Sequence, residues 1–257
     1  MRKKTVFALW VTSLLIGGVM IPAFAAETDN AISRIKLTPE SIPPGMEVAT
    51  EIQASKRQLF RTRLKIGFPL KALLNQTIIY STHQAKVNYM DLPDESWFDF
   101  GYTKLVGAEG YGSLVVAKDN VIIQIAANTK DLENWLLRLL RVDMLQTQKI
   151  RIHRTPSGWV LTNERFLRTE DLRGLEQEAA GLIRRGIMQQ FLIVRKSAKI
   201  TYYDCGTEET AEIVGQSLAD KKGTINKRSV RALGATVVVA DSPSLELNEN
   251  VLAYVNW

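Results

Sequence analysis

The chain has 257 residues, 46% hydrophobic and 23% charged, so it can bury a sizeable core and does not resemble a disordered protein. Its net charge is +6, but residues 1–25 contribute three cations and no acid, which leaves 30 Lys and Arg against 27 Asp and Glu in the rest of the chain. A single cysteine excludes a disulfide within the chain and a zinc site built on a pair of thiolates. A net charge of +3 does not favour nucleic-acid binding, and with only two histidines we expect no cofactor.

Residues 1–25 have the pattern of a cleavable export signal. Arg2, Lys3 and Lys4 precede an apolar run over 6–20, and small residues at positions 23 and 25 predict cleavage before Ala26. The apolar run is short for a membrane anchor, although a retained anchor is the alternative. We therefore expect an extracytoplasmic protein, in the periplasm, in the cell envelope or secreted, that touches a membrane only through an uncleaved signal segment.

Residues 26–65 are predicted to be a linker followed by an N-terminal helix. Three prolines, Pro39, Pro43 and Pro44, lie in the first part, and a basic helix is predicted over 47–64. The globular region then covers 66–257, as one domain or as two halves at about 66–145 and 146–257. Within it, short runs of β-branched and aromatic residues predict strands at 77–80, 85–89 and 97–102, and a hairpin over 113–126.

Three threonines at similar intervals mark predicted helix starts further along the chain. Thr129, Thr169 and Thr207 are almost evenly spaced, and each precedes acidic residues that favour a helix N-terminus. Two-stranded segments are predicted before these helices, at 113–126, 149–161 and 190–203, and closing strands at 235–240 and 251–255. This pattern predicts an α+β fold with antiparallel sheets, helices packed on one face and repeated strand–strand–helix units.

Two groups of residues are candidate ligand sites. In a strand over 97–102, Trp97 and Asp99 share one face and suit a sugar ring, although core packing explains the neighbouring aromatic residues equally well. In a strand over 149–154, Lys149, Arg151 and His153 project outward and suit an anionic polymer or headgroup, unless they form a merely solvated face.

No catalytic or metal-binding constellation stands out in the sequence. We therefore expect an exported, soluble, non-catalytic cell-envelope protein that binds a ligand or a protein partner, such as an envelope glycan or an anionic polymer. One alternative is a cell-wall or polysaccharide hydrolase that uses carboxylates around Asp91 to Asp99, or Cys205 with a histidine. Another is an envelope assembly or structural component.

Overall fold

Two antiparallel sheets of five strands each form the framework of the protein. The computed structural model describes residues 31–106, 112–167, 169–172, 175, 177–219 and 226–256. Helices pack against both sheets, which confirms the predicted α+β class. We divide the chain into a first unit, residues 31–143, and a second unit, residues 144–256, because each contains one complete sheet.

The first unit alternates helices and strands, in the chain order α1 (Ala31–Ile35), β1 (Met46–Gln53), α2 (Lys56–Ile66), β2 (Ala72–Tyr80), β3 (His83–Asp91), α3 (Phe98–Val106), β4 (Leu114–Lys118), β5 (Val121–Ala127) and α4 (Lys130–Leu139). Its strands pair in the order β1-β2-β3-β5-β4. The β4–β5 pair confirms the hairpin predicted over 113–126.

The second unit follows the same plan, with α5 (Met144–Gln148), β6 (Trp159–Phe166), α6 (Thr169–Leu172), α7 (Gln177–Leu182), β7 (Arg185–Ile193), β8 (Lys196–Asp204), α8 (Glu208–Ala219), β9 (Lys227–Leu233), β10 (Thr236–Ser242) and α9 (Leu245–Leu252). Its strands pair in the order β6-β7-β8-β10-β9, which repeats the first sheet strand for strand.

Strands β1 to β3 of the first unit are related to β6 to β8 of the second by one constant shift along the sequence, which we call the repeat offset. The pairing of β1 with β2 is interrupted by a bulge between Val48 and Thr50, and that of β6 with β7 by one between Leu161 and Asn163. The repeat offset is the step from Val48 to Leu161. Bulges are specific local features, so a matching bulge at the corresponding place indicates an internal duplication. The real repeat is therefore a whole five-stranded unit rather than the much shorter interval between the threonines.

The threonine caps at two of the three predicted helix starts are present. Thr129 Oγ1 accepts a hydrogen bond from the backbone N–H of Leu132 at 3.3 Å, and Thr207 Oγ1 accepts one from that of Thr210 at 3.2 Å. These caps satisfy backbone donors that the first turn of a helix leaves unpaired. The third prediction holds only in part, because the helix that begins at Thr169 has four residues and α7 follows as a separate short helix.

The helix predicted over 47–64 is wrong in its first half, which forms strand β1 at the edge of the first sheet. Most of its side chains are exposed, so the strand lacks the apolar alternation that would have revealed it. The helix begins only at Lys56, because Ser55 and Gln58 form a reciprocal capping box there. It ends at Gly67, whose φ of 76° suits a glycine C-cap.

The strand predicted over 97–102 is also wrong, because this segment is a 3₁₀ turn followed by α3. Asp94 Oδ1 accepts the backbone N–H of Ser96 at 2.9 Å and starts the turn. The aromatic residues then pack with helical spacing: the rings of Phe98 and Tyr102, four residues apart, stack at 5.9 Å.

Two further predicted strands are absent from the described residues. Instead of a strand over 149–154, the chain leaves α5 and enters a 3₁₀ turn at Ile152–Arg154. Instead of a strand over 251–255, the chain forms α9, which continues to Leu252. Ser244 caps the start of this helix by accepting a hydrogen bond from the backbone N–H of Leu247 at 3.2 Å. Val251 and Leu247, four residues apart, are both buried on this helix.

The hydrophobic core crosses the boundary between the units. One cluster of buried side chains combines Phe68 and Tyr102 of the first unit with Phe191 and Val251 of the second. A second cluster fills the space beneath α1 and α4, and a third lies between α8 and the second sheet. The segment over 149–154 runs along the shared cluster, with Ile150 and Ile152 buried in it.

Candidate functional site

A completely buried ion pair joins Lys149 to Glu164 of β6. Lys149 Nζ lies 2.5 Å from Glu164 Oε1, and both side chains are fully buried. Tyr102 of α3 donates its hydroxyl hydrogen to the same carboxylate oxygen at 2.6 Å, and Gln189 Nε2 donates to the other oxygen at 2.6 Å. Lys149 also donates to the carbonyl of Val115 at 2.7 Å. A buried ion pair is tolerated only when it is hydrogen-bonded in this way.

The first unit contains the same network, one repeat offset earlier in the chain. Lys36 Nζ lies 2.6 Å from Glu51 Oε1, and Gln76 Nε2 donates to Glu51 Oε2 at 2.6 Å. Tyr89 donates to Gln76 Oε1 at 2.8 Å, as Tyr202 donates to Gln189 in the second unit. Here, however, the side chains of Lys36 and Glu51 remain 30% and 37% exposed. The network is therefore part of the repeated framework, and only its second copy is sealed by the neighbouring unit.

A second buried charge cluster surrounds Glu133 of α4. Its Oε1 lies 2.6 Å from Arg151 Nη1, its Oε2 lies 2.9 Å from His153 Nε2, and Arg154 Nη2 is 3.6 Å away. Burial would raise the pKa of Glu133, but the hydrogen bond from His153 and the nearby positive charges lower it below its ordinary value. His153 Nδ1 is buried and has no hydrogen-bond partner among the described residues.

The structure thus brings Lys149, Arg151 and His153 to one boundary, but turned inward. The prediction that they project from a strand into solvent is wrong, because both sides of the segment are covered by the two units. The missed partners are Glu133 and Glu164, which lie far away in the sequence. The equal sequence separation within the pairs Lys36/Glu51 and Lys149/Glu164 is the signal that could have revealed the network.

Trp97 and Asp99 are exposed, but at the start of a helix rather than on a strand. The Trp97 ring lies edge-on to Phe100 at 6.1 Å, and Phe100 lies edge-on to Phe68 at 6.4 Å. Lys104 Nζ sits 5.4 Å from the Phe100 ring centroid, within range of a cation–π contact. Phe100 itself is 50% exposed. Aromatic surface is therefore presented to solvent at this point.

Helix α2 presents an unusual outer face. Its half-buried residues Leu59, Thr62 and Ile66 face the protein, and no residue of the helix is fully buried. Helical geometry then places a stripe with i, i+3, i+4 and i+7 spacing directly opposite. The stripe contains Arg57, Phe60, Arg61 and Leu64. Phe60 and Leu64 are 60% and 70% exposed.

The C-terminal end of α2 adjoins α3. A Cβ atom on its C-cap residue Gly67 would lie 2.5 Å from Lys104 Nζ, and the next residue, Phe68, contacts Phe100. The C-terminal end of α2 therefore adjoins α3, and we name the exposed apolar, aromatic and basic residues of these two neighbouring segments together the aromatic–basic surface. It consists of Arg57, Phe60, Arg61, Leu64, Trp97, Phe100 and Lys104.

The thiol of the predicted hydrolase alternative lies in an environment unlike that of a reactive cysteine. Burial, followed by the charge of Asp204, raises the pKa of the Cys205 thiol to about 11. Cys205 is packed in the cluster beneath α8, whereas Ile152, beside His153, belongs to the cluster shared by the two units. Asp91 is buried, and burial raises its pKa. Across the residues that the structure describes, no three His, Cys, Asp or Glu side chains are grouped as metal ligands.

Comparison of the chain with protein-family models, with curated proteins and with solved structures finds no match. Within the described part of the chain, no helix combines the length and apolar character needed to cross a membrane.

Proposed function

We propose that the protein is an exported, non-catalytic component of the cell envelope that binds its partner through the aromatic–basic surface. The export signal predicted over residues 1–25 supports the location. The inward orientation of Lys149, Arg151 and His153 removes the strongest other candidate surface. Trp97 remains in the proposed site, now in the 3₁₀ turn before α3 rather than on a strand.

The observation that carries the proposal is the stripe on α2. Large apolar side chains normally stabilise a protein by about 1.5–3 kcal/mol each when buried. Phe60 and Leu64 forgo most of that on a stripe that also contains Arg57 and Arg61. Tryptophan, phenylalanine and arginine are also residues that interfaces favour over ordinary surface. An exposed combination of these residues is typical of a binding surface.

The internal duplication supports this interpretation. The sequence of the second unit does not repeat the stripe, because the four positions one repeat offset later hold Glu170, Arg173, Gly174 and Gln177. The network of Lys, Glu, Gln and Tyr side chains, by contrast, is present in both units, partly exposed in the first and fully buried in the second. A feature that only one copy of a duplicated unit has is better explained by binding than by folding.

The test is site-specific photocrosslinking in intact, exporting bacteria. A photoreactive phenylalanine analogue replaces Phe60 or Trp97, and matched control chains carry it at Ile213 or Leu245, which are 53% and 54% exposed in the second unit. We expect ultraviolet light to produce adducts with envelope material at positions 60 and 97 and not at the controls. Equal crosslinking at all four positions would contradict the proposal.

A further inference from the structure

We infer that the partner of the aromatic–basic surface is an anionic phospholipid membrane, to which α2 binds lying flat on the lipid headgroups. This inference rests on the proposed function and names the chemistry of the same surface. It adds a membrane contact of the folded chain to the contact predicted for an uncleaved signal segment.

The positive charge of α2 favours an anionic partner. Helix α2 contains Lys56, Arg57, Arg61, Arg63 and Lys65 and no acidic residue. Arg63 donates to the carbonyl of Leu70 through Nε at 2.9 Å and through Nη2. Arg57 and Arg61, in the outward stripe, have no ion-pair partner among the described residues. Guanidinium groups match the geometry of phosphate oxygens, which lipid headgroups present.

Among the described side chains, Asp94 and Asp99 form no ion pair with the arginines of the stripe. Asp94 accepts the hydrogen bond that forms the turn before α3. Asp99 acts on Arg165 of β6, whose pKa is raised chiefly by its hydrogen bond to Asp171, with a smaller contribution from the charge of Asp99. Both acids lie at the α3 end, whereas Arg57 and Arg61 are on α2.

Cations and apolar side chains also alternate along the stripe. Arg57 and Leu64 are seven residues apart, so the stripe runs for about 10 Å along the helix axis. Phe60 lies between them, and Trp97 and Phe100 extend the apolar surface beyond the C-terminal end of α2. A lipid interface can bind both kinds of side chain at any point, because acyl chains lie directly beneath the headgroup phosphates. Tryptophan also favours the interface between the membrane and water.

The shape of the surface also suits a bilayer. The stripe lies on the outermost side of a helix whose opposite side faces the protein, so the surface projects outward. A projecting basic and apolar helix face matches the geometry of helices that lie in a bilayer interface. A protein partner would instead need a groove with apolar pockets and acids at matching positions. Chemistry and shape together favour the bilayer.

The experiment is vesicle co-sedimentation of the full chain from an exporting host. One set of vesicles contains phosphatidylcholine alone, and the other contains phosphatidylcholine mixed with anionic phosphatidylglycerol. The test variants are Arg57→Gln/Arg61→Gln and Phe60→Ser/Leu64→Ser. The matched controls are Arg195→Gln/Lys196→Gln, at the β7–β8 turn, and Ile213→Ser/Leu245→Ser. All chains share the same N-terminal segment, so differences between them report on the folded part.

We expect the wild type to bind anionic vesicles more tightly than neutral ones. Each arginine should contribute about fivefold to the partition coefficient, so losing both should cost about 25-fold on anionic vesicles. The Phe60/Leu64 variant should lose binding to the anionic vesicles as well, and the control variants should bind like the wild type. Far-ultraviolet circular dichroism checks that each variant keeps its fold.

Vesicle binding and crosslinking together distinguish a failure of the lipid inference from a failure of the proposed binding function. If test and control variants bind vesicles equally, the lipid inference is overturned. If position 60 then still forms a crosslink in the cell, to a protein or a glycan, the binding function stands with a different partner. If position 60 crosslinks no more than the control positions, both are overturned.

Discussion

Replacing Lys149 with methionine should destabilise the protein far more than the same change at its counterpart Lys36. Lys149→Met leaves the carboxylate of Glu164 fully buried without its counter-ion, which costs about 3–5 kcal/mol. Lys36→Met leaves Glu51 with a side chain that is 37% exposed to water, so the expected cost is only about 0–1 kcal/mol. Because both pairs belong to the same repeated network, the contrast measures the effect of burial.

Urea unfolding of the three full chains, followed by circular dichroism, measures the two losses of unfolding free energy. In thermal unfolding each kcal/mol should lower Tm by about 2–4 °C for a chain of this size. The double variant Lys149→Met/Glu164→Gln, which removes both charges, should be more stable than Lys149→Met alone. Equal losses for Lys149→Met and Lys36→Met would refute the reasoning that burial sets the cost.

Three further predictions test the buried sites. The pKa of Cys205 is raised to about 11 and its side chain is buried, so near neutral pH a maleimide should label this thiol only when the chain is unfolded. Rapid labelling of the native protein would contradict this. Glu133→Gln should cost about 3 kcal/mol or more in urea unfolding. Since the folded-state pKa of Glu133 is lowered from 4.5, its contribution is present above that pH and is lost in acid, so the gap between Glu133→Gln and wild type should narrow as the pH falls. Gly186→Ala should destabilise the protein by about 1–3 kcal/mol and lower its Tm, because the new Cβ would lie 2.6 Å from Leu167 and 2.9 Å from a backbone oxygen. Gly181→Ala should leave Tm unchanged, because the space around Gly181 is open.

Much of the fold could be predicted from local patterns. The β4–β5 hairpin and the helix starts at Thr129 and Thr207 follow from turn and cap chemistry, which acts over a few residues. Strand β1 was missed because an exposed edge strand with polar side chains lacks apolar alternation. The aromatic run over 97–102 was misread as a strand because its composition favours β structure, whereas the Asp94 turn and the contact of Phe98 with Tyr102 favour a helix.

The site was harder to predict, because whether a side chain points into solvent or into the protein depends on contacts with other segments of the chain. Lys149, Arg151 and His153 alternate with isoleucines as in a half-exposed strand, yet their counter-charges come from Glu164 and Glu133. The stripe on α2 was hidden because the helix was predicted to start nine residues too early, at 47 instead of Lys56. The apolar spacing then placed Leu64 on the same side as Leu59, and Phe60 fell outside that side, whereas both Phe60 and Leu64 are exposed in the structure.

Thiol protection at position 60 tests the central claim most directly. Cys205 is buried, so a cysteine placed at Phe60 or, as control, at Ile213 supplies the one reactive thiol of the native chain. Maleimide labelling rates are compared between the purified chain and the intact envelope. The account predicts that Phe60→Cys is labelled more slowly in the envelope, relative to the purified chain, while Ile213→Cys is not protected. Equal relative rates at both positions would contradict the claim that the aromatic–basic surface is occupied by a partner.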